Sequence, residues 1–441
     1  MSLLLTLADT LSQNLRRLDS QFPDGTSPHL WDARPCPALD DVRQLPPQEA
    51  FDLIDKIRVD LKAVEALIVP SHFRLVELGL LQYKVAALNT VVSLDVANAL
   101  TELGGQASLH DLAVKVQTNE HKLGKVLRML TAEYIFQEVS KDVFKHSRHS
   151  IALSGSKGAS SFMSFITDLG MRAALGISND LRLPETRDSF SEKTAPFVKE
   201  VSKDGTTFFE YMMNPDNAEM VTLANDGVQL TRCALLTDYP WGDLGDATVI
   251  DVGCGAGDSG IDVMKKYPRL KWTFQDFDHV LKTVKENIPD ELQQNVNDGS
   301  IQFVQQDYFQ PNASRGDVWY LRGVLHEYTD EDVVKILTHL AAAMHETPGS
   351  RMIINEVFVA SPVIMPATSS FSTSAPSDYI PRKQSALADM ANAMTWSTFS
   401  LFGGKERSYA EYQDLLNQSG LKVSRFYRFR TFTVMLECEL A

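Results

Sequence analysis

The first part of the chain is patterned mainly for helices. Apolar residues there recur at steps of three and four, the spacing of one helix face. The clearest stripe predicts an amphipathic amino-terminal helix and consists of Leu4, Leu7, Leu11, Leu15 and Leu18. Such a helix either binds a partner or packs on its own domain, and the stripe is compatible with both. Residues 20–48, rich in Pro, Asp and Gly, are predicted to form a connecting loop.

Residues 48–155 are again mainly helical, and their second part predicts a winged helix. The pattern there is helix, turn, helix and then two short strand-like pieces around a polar turn. Ser108 is the predicted cap of the first of these helices. The second helix carries a stripe that we expect to be buried: Leu123, Val126, Leu127 and Leu130. A winged helix often binds DNA, but the acidic balance of this domain and of the whole chain disfavours that role.

The pattern changes between residues 247 and 441, where short apolar runs alternate with helical stretches. This alternation is typical of an α/β domain with a parallel sheet. The runs are TVIDV (248–252), KWTFQDF (271–277), IQFVQQDYF (301–309), DVWYLRGVL (317–325), RMIINEVFV (351–359) and RTFTVMLE (430–437). Open sheets of this kind bind ligands at the carboxyl ends of their strands, so the residues that follow each run are the first candidates for a site.

Composition narrows the possible partners and compartment. A chain of 441 residues is too long for one compact core, so two or three domains are expected. The net charge of −15 argues against a nucleic-acid surface and against binding to an anionic membrane. The cysteines lie far apart, without metal-ligand spacing or disulfide density: Cys36, Cys233, Cys254 and Cys438. With no targeting or membrane-spanning segment predicted, we expect a cytoplasmic protein.

The first of these runs leads into a glycine-rich turn, DVGCGAG, which contains Asp251, Gly253, Gly255 and Gly257. A strand, a glycine turn and a helix let the backbone approach a ligand, although such a turn can also serve tight packing alone. Residues 255–260 also match the dinucleotide fingerprint G-x-G-x-x-G. Asp276 ends the next strand, where a carboxylate can bond the ribose of NAD or of S-adenosyl-L-methionine (SAM) alike.

Two features favour SAM over NAD. Asp251 comes directly before the glycines, which suits a ligand that carries an ammonium and a sulfonium rather than a pyrophosphate. A third strand ends in Asp307 and Tyr308, a carboxylate that can bond an adenine amine and a ring that can cover it. Taken alone, Asp307 is better explained as a helix cap or turn residue. Because carboxylates follow three successive strands at one sheet edge, we predict a SAM site there.

With these motifs in place, most of the chain resembles the plant- and fungal-type small-molecule O-methyltransferases, the caffeate and flavonoid class. The matching segments are, in order, DVGCGAG, FQDFDHV, QQDYF, YLRGVLHEYTDED, IINEVFV and FGGKERSYAEYQDLL. The resemblance implies a catalytic His326, supporting carboxylates at Glu356 and Glu406, and a cationic cofactor contact at Arg322. It also implies a homodimer formed through the amino-terminal winged helix and a reaction that converts SAM to S-adenosyl-L-homocysteine (SAH) without a metal.

The fold class that follows is α/β, with a helical and winged-helix dimerisation part before a Rossmann-like SAM-binding domain. That domain is expected to contain a mostly parallel seven-stranded sheet with an antiparallel C-terminal strand. The predicted segments are an N-terminal extension (1–70), the winged helix (71–155), a helical connector that contributes to the substrate pocket (156–235) and the methyltransferase domain (236–441).

His326 has a chemical rationale of its own. It follows a strand-like run at the cofactor edge, and Thr329 starts a capping box before a helical stripe, so His326 lies in a strand-to-helix loop. A phenol is mostly protonated at neutral pH, and an imidazole with a pKa of about 6.5 is a suitable general base for it. Methyl transfer to a hydroxyl of a small, hydroxylated aromatic or polyketide-like molecule is therefore the predicted reaction. A lone histidine is otherwise more often structural.

The two glutamates are candidates to fix the tautomer of this imidazole. Glu356 lies inside an apolar strand, where a charge needs a partner unless the residue faces outward. Glu406 lies between Lys405 and Arg407, so a local ion pair is its alternative explanation. The sequence does not assign which glutamate orients His326.

Two segments after the sheet strands are candidates for substrate contact. Residues 361–377, rich in Ser, Thr and Pro, are predicted to form a lid or a disordered insertion. The following helix carries Met390, Met394 and Trp396, which suit a flat aromatic substrate or, equally, core packing. The alternative functions are a SAM-binding cyclase or pericyclase on the same fold and, more remotely, a metabolite-sensing winged-helix regulator or an NAD oxidoreductase.

Overall fold

The computed structural model describes residues 2–41, 44–155, 157–217, 220, 232–359 and 385–441. The chain forms two compact units: Met1–Ser178 with Pro196–Cys233, and Asn179–Ala195 with the described chain from Ala234 onward. The segment boundaries at 70, 155 and 235 stay predictions.

The first unit is helical apart from one small sheet. Its helices are α1 (Leu3–Asp19), α2 (Pro37–Asp40), α3 (Gln48–Ile68), α4 (Ser71–Ser93), α5 (Val96–Glu102), α6 (Leu109–Lys115), α7 (Glu120–Thr131), α8 (Arg148–Gly155), α9 (Lys157–Phe165), α10 (Met171–Ala174), α11 (Ile177–Asp180) and α12 (Phe208–Met213). The strands β1 (Gln106–Ser108), β2 (Gln137–Ser140) and β3 (Val143–Lys145) pair antiparallel in the order β1-β3-β2.

The helices and strands predicted for the winged-helix region are present. The Ser108 side chain accepts a hydrogen bond from the backbone N–H of Asp111 and so caps α6, and Asn119 caps α7 in the same way. The buried core between these helices and the sheet includes Leu112, Leu123, Leu127, Leu130, Phe136 and Phe144. All residues of this core lie in the first unit.

The amino-terminal helices are less completely buried. Leu7 of α1 is buried against Val59 of α3, but Leu4 and Leu15 are 42% and 46% exposed. The predicted leucine stripe therefore packs only partly against its own unit, and part of it is exposed.

Helix α4 exposes much more apolar surface than the sequence analysis anticipates. By length and composition alone it is apolar enough to cross a membrane, and only 11% of that apolar window is buried. Its large side chains that are more than two-fifths exposed are Phe73, Leu75, Val76, Leu78, Leu80, Leu81 and Tyr83. Because no membrane segment is predicted above, this exposed helix is a finding of the structure.

The second unit is an α/β domain. Its strands are β4 (Thr248–Val252), β5 (Lys271–Asp276), β6 (Ile301–Gln305), β7 (Val318–Arg322), β8 (Arg351–Val357), β9 (Leu421–Arg428) and β10 (Thr433–Leu440), in the order β6-β5-β4-β7-β8-β10-β9. Strands β4 to β8 run parallel, and β10 pairs antiparallel with both β8 and β9. The predicted fold class is confirmed.

Strand β9 is the one member of this sheet that no predicted apolar run covers. Its sequence, LKVSRFYR, alternates polar and apolar residues because β9 forms the edge of the sheet and buries one face only. The first five predicted runs each contain a strand, and the sixth (430–437) covers the first part of β10, which continues to Leu440.

The helices of this unit lie between its successive strands along the chain. They are α13 (Asp258–Lys266), α14 (Asp278–Asn287), α15 (Gln293–Asn297), α16 (Asp330–His345), α17 (Ala386–Phe402) and α18 (Tyr409–Gln418). The Thr329 side chain accepts from the Asp332 backbone N–H and caps α16. The predicted stripe of α16 is fully buried against the sheet: Val333, Ile336, Leu337, Leu340 and Met344.

Candidate cofactor and catalytic site

The glycine turn after β4 needs glycine at several positions. Gly253, Gly255 and Gly257 have φ values of +69°, +54° and +76°, in the left-handed region that other residues rarely adopt. A Cβ atom on Gly257 would lie 2.6 Å from the side chain of Val284. The turn therefore brings bare backbone to the sheet edge at the start of α13, where helix N–H groups face outward.

Asp251 and Arg322 lie at the ends of the neighbouring strands β4 and β7. The Asp251 carboxylate is buried and accepts a hydrogen bond of 2.9 Å from Trp272 Nε1. Burial raises the pKa of Asp251 to about 7, against the lowering by this hydrogen bond and by the Arg322 charge. Arg322 donates to Ser259 Oγ at 2.7 Å, in the first turn of α13. An acidic and a basic side chain thus lie beside the glycine turn, each bonded to a different partner.

Asp276 ends β5 beside the same turn. Its Oδ2 accepts from the Gly255 N–H at 3.0 Å, and its Oδ1 accepts from the Phe277 N–H at 2.8 Å. Burial raises the pKa of this carboxyl above its usual value. The aspartate is therefore tied to the glycine turn in the position that the sequence predicts for a ribose contact.

The strand end after β6 contributes an aspartate and an aromatic pair. Asp307 Oδ1 accepts from the Phe309 N–H at 2.9 Å, which is the turn role that its alternative explanation describes. The Tyr308 ring lies 3.3 Å from where a Cβ of Gly253 would be, so it stands against the glycine turn. Its hydroxyl is hydrogen-bonded to that of Tyr328 at 2.5 Å. Tyr328 was not predicted; its only signal is an aromatic residue two positions after His326.

His326 lies on a 3₁₀ turn, Leu325–Glu327, directly after β7. Its Nδ1 is 2.7 Å from Glu406 Oε1 and 3.7 Å from Glu356 Oε2. The imidazole is 16% exposed, whereas the two carboxylate side chains are at most 1% exposed. The structure thus brings together the three predicted catalytic residues from a loop, a strand and the segment after α17.

The two glutamates make different contacts. Glu406 Oε1 accepts from His326 Nδ1–H and from the Thr398 hydroxyl at 2.9 Å. Glu356 Oε1 accepts from the backbone N–H groups of Val324 and Leu325, at 3.1 and 2.9 Å. Glu406 therefore contacts the imidazole directly, while Glu356 holds the backbone of the turn that carries it. The local ion pair proposed as an alternative for Glu406 is not formed, because Lys405 and Arg407 both bind Asp330.

The charges around His326 act in opposite directions. Burial favours the neutral imidazole, but Glu356 and Glu406 outweigh it and raise the pKa of His326 to about 10. Burial raises the pKa of Glu356 above its usual value, opposed by the charge of His326. The second oxygens of Glu356 and Glu406 are buried without a hydrogen-bond partner. The cluster therefore keeps ionisable groups buried, with two carboxylate oxygens left without a hydrogen bond.

The same cluster is a candidate metal-ligand set among the described residues, with ligand atoms within 4.8 Å of one another. However, Nδ1 of His326 and Oε1 of Glu406 are 2.7 Å apart, which is a hydrogen-bond distance. Two ligands of a tetrahedral zinc, each about 2 Å from the metal, lie farther apart than that. The geometry fits an imidazole oriented by a carboxylate.

The predicted substrate residues lie on α17. Met390 and Trp396 are 43% and 49% exposed, and Met394 is half-buried, so core packing does not explain the first two. Residues 361–377, the predicted lid or insertion, lie outside the described residues. The structure places the cofactor and catalytic candidates at one sheet edge, and the role of the α17 residues stays a prediction.

A glycine turn, strand-end carboxylates and an oriented imidazole at one edge of an α/β sheet define an enzyme with a nucleoside-type cofactor and a candidate base. Comparison with known proteins specifies the class. The O-methyltransferase domain family model matches residues 190–422. The chain is 28% identical to an O-methyltransferase of Armillaria gallica, with 76% of each chain covered. It is 24% identical to the O-methyltransferase tpcA of Aspergillus fumigatus, over 90% of this chain and 88% of that one.

Among solved structures, OxaC in complex with SAH and oxaline aligns with a TM-score of 0.67 and 18% identity over 99% of both chains. The family match spans more than half of the 441 residues, so the chain belongs to the O-methyltransferase domain family. It is a SAM-dependent O-methyltransferase, similar to fungal enzymes of secondary metabolism, and its cofactor is SAM rather than NAD.

Proposed function

We propose that this enzyme methylates a phenolic hydroxyl of a small molecule, with His326 as the general base. The observation that carries the proposal is the 2.7 Å contact between His326 Nδ1 and Glu406 Oε1. In the neutral imidazole, that hydrogen bond favours the tautomer with its proton on Nδ1, so that Nε2 can accept the proton of the substrate hydroxyl. A phenol is the best match because its pKa of about 10 keeps it protonated at neutral pH and is still low enough for an imidazole to remove the proton.

The positions and charges of the predicted cofactor residues also fit SAM. The bare glycine backbone would lie beneath the cofactor, with Asp276 against the ribose and Asp307 with Tyr308 at the adenine. Asp251 and Arg322 would meet the charged amino-acid end, since each offers a charge opposite to one of its groups. Bound SAM supplies a methyl group on a sulfonium, which is activated for in-line displacement.

The residues around His326 then have separate tasks. Glu406 fixes the tautomer and orientation of the ring, and it stabilises the imidazolium formed when the proton arrives. Glu356 holds the turn by its two backbone hydrogen bonds. The positive charge of a sulfonium beside this cluster disfavours a second cation, so the cofactor-bound enzyme holds the imidazole neutral to a lower pH than the cofactor-free protein.

Labelled methyl transfer tests this proposal directly. The purified enzyme is incubated with methyl-labelled SAM and either a panel of hydroxylated aromatics or matched aliphatic alcohols. We expect label in phenolic products and a loss of about 10²–10⁴ in rate for His326→Ala, with SAH binding retained. Transfer to aliphatic alcohols only would overturn the phenol assignment. A near-wild-type rate for His326→Ala would remove the base assignment, and conversion of a substrate without loss of label from SAM would favour a cyclase.

We also propose that the enzyme is a homodimer and that the exposed apolar part of α4 is its contact surface. The exposed apolar residues of this helix occur at 73, 75, 76, 78, 80, 81 and 83, and at 100° per residue they surround the helix on all sides. A helix that lies on a membrane has one apolar face, and His72, Arg74, Glu77 and Lys84 interrupt a span. A second copy offers the same exposed helix for a two-fold contact.

Sedimentation equilibrium of the full chain tests this surface. We expect a dimer for the wild type and a monomer for the double variant Leu75→Glu with Leu78→Glu. Val114→Glu is the matched control, because Val114 is 64% exposed on α6 of the same unit. A monomeric wild type, or flotation with anionic vesicles in place of dimerisation, would contradict the proposal.

A further inference from the structure

Arg407 is a buried cation that the proposed reaction does not use. It follows Glu406 directly, and its guanidinium side chain is 0% exposed. Its backbone carbonyl accepts from the Val359 N–H at 3.1 Å, so the main chain at this point pairs with the residues that follow β8. A charge in such a place is costly unless each donor finds an acceptor.

The acceptors of Arg407 are the backbone on both sides of His326. One terminal nitrogen donates to the carbonyl of Leu325 at 2.8 Å, and the other donates to the carbonyl of Tyr328 at 2.6 Å. The Nε–H donates to Asp330 Oδ1 at 2.8 Å, in the first turn of α16. One rigid, planar group therefore binds the residue before His326, the residue two positions after it and the start of the next helix.

The neighbouring residue completes this attachment. The Lys405 N–H donates to the carbonyl of His326 at 2.7 Å, and Lys405 Nζ lies 2.7 Å from Asp330 Oδ2. The segment 405–407 thus binds the catalytic turn three times: through its backbone, through the Glu406 carboxylate on the ring, and through the Arg407 guanidinium on the flanking carbonyls. Orientation of the imidazole depends on the turn as well as on the carboxylate.

We propose that Arg407 is a positioning residue, which acts on the reaction by fixing the turn that carries His326. The proposal rests on the proposed role of His326. A guanidinium suits the task because its fork reaches two carbonyls and a carboxylate in one plane, which a lysine ammonium does not. A purely stabilising role is less well served, since a well-packed apolar side chain stabilises a core at least as well as a buried charge.

Arg407→Lys is the first test. We expect kcat for methyl transfer to fall about 100-fold, because a displacement of about 1 Å in a catalytic group has effects of that order. The Kd of SAH should stay within about twofold of the wild type, as none of the proposed cofactor residues is bound by Arg407. The pH profile should move to lower pH, since a loosened imidazole lies farther from its carboxylates. Arg269→Lys is the control, because Arg269 pairs with Asp246 at an exposed site.

A double-mutant cycle with His326→Ala separates the two proposals. If Arg407 acts through His326, the double variant has the rate of His326→Ala alone, and the single effects do not add. Additive effects, or an unchanged rate and pH profile for Arg407→Lys, would overturn the positioning role. A near-wild-type rate for His326→Ala would instead overturn the base. If Arg407→Lys does not fold, Asp330→Asn in the same cycle decides, since Asp330 is 44% exposed and binds the same guanidinium.

Discussion

The sheet edge of the second unit and the amino-terminal helices of the first differ in which groups lack a partner within the chain. Around His326, charged and polar groups are buried, and the chain supplies most of their partners: Glu406 for the ring, backbone N–H groups for Glu356 and backbone carbonyls for Arg407. Along α4, apolar side chains face outward with little of the chain against them. The first region is held in place by its own hydrogen bonds, whereas the second leaves apolar side chains exposed.

This difference teaches where each kind of function lies. A site held by hydrogen bonds within the chain has its geometry fixed before the substrate arrives. A helix with this many exposed apolar side chains is a candidate association surface. Changes at the sheet edge should therefore alter rate, cofactor binding or pH dependence, whereas the Leu75→Glu and Leu78→Glu changes on α4 should alter association only.

The largest contrast is expected between the two glutamates. Glu406→Gln removes the charge that orients and stabilises the imidazolium, and we expect kcat to fall about 100-fold. Glu356→Gln keeps an oxygen for the Val324 and Leu325 N–H groups and should lower kcat by less than about tenfold. Steady-state methyl transfer under saturating SAM measures both. Equal losses would show that the two carboxylates share one task.

A smaller change is expected at the cofactor turn. Asp276→Asn weakens the acceptor beside Gly255 and should raise the Kd of SAH about tenfold by calorimetry, which is close to 1.4 kcal/mol. The thermal unfolding midpoint should change little, since Asp276 lies at the sheet edge rather than in its core. The control is Asp298→Asn, because Asp298 lies in an exposed turn after α15. Asn312 is buried, so Asn312→Asp is not a matched control. Unchanged SAH affinity in Asp276→Asn would remove its ribose role.

The last contrast concerns stability against pH rather than rate or cofactor binding. The two glutamates raise the pKa of His326 from 6.5 to about 10 despite burial. Because the folded pKa is the higher one, the stabilising contribution is fully present below pH 6.5 and is lost as the pH rises through about 10. The free energy of unfolding of the cofactor-free protein should therefore fall across this range, and less so in His326→Gln. Urea denaturation at several pH values measures it, and parallel curves for both proteins would contradict the charge arrangement.

Much of the site follows from sequence because its residues lie next to strand ends. DVGCGAG and HEYTDED each come directly after an apolar run, so the sheet edge gathers Asp251, Asp276 and His326 without knowledge of tertiary contacts. The separate tasks of the glutamates could not be predicted, since they depend on which backbone groups Glu356 meets after folding. Arg407 was visible only as a possible ion-pair partner of Glu406, because its carbonyl acceptors have no sequence signal.

The exposed face of α4 was missed for a related reason. Its apolar residues are compatible with a buried helix, and a sequence does not show whether a helix is covered by its own chain. Strand β9 was missed because an edge strand alternates polar and apolar residues and gives no continuous apolar run. For α4 the sequence left burial undetermined, and for β9 it left the strand itself undetected.

The pH dependence of a single turnover, with and without His326, tests the central claim most directly. Enzyme saturated with labelled SAM is mixed with a phenol, and the rate of methyl transfer is measured from pH 5 to 10 for the wild type and for His326→Ala. We expect the wild-type rate to rise and level off as the imidazole loses its proton. The variant should be slower throughout and should rise only with ionisation of the phenol itself. Identical profiles for the two proteins would show that His326 does not remove the proton.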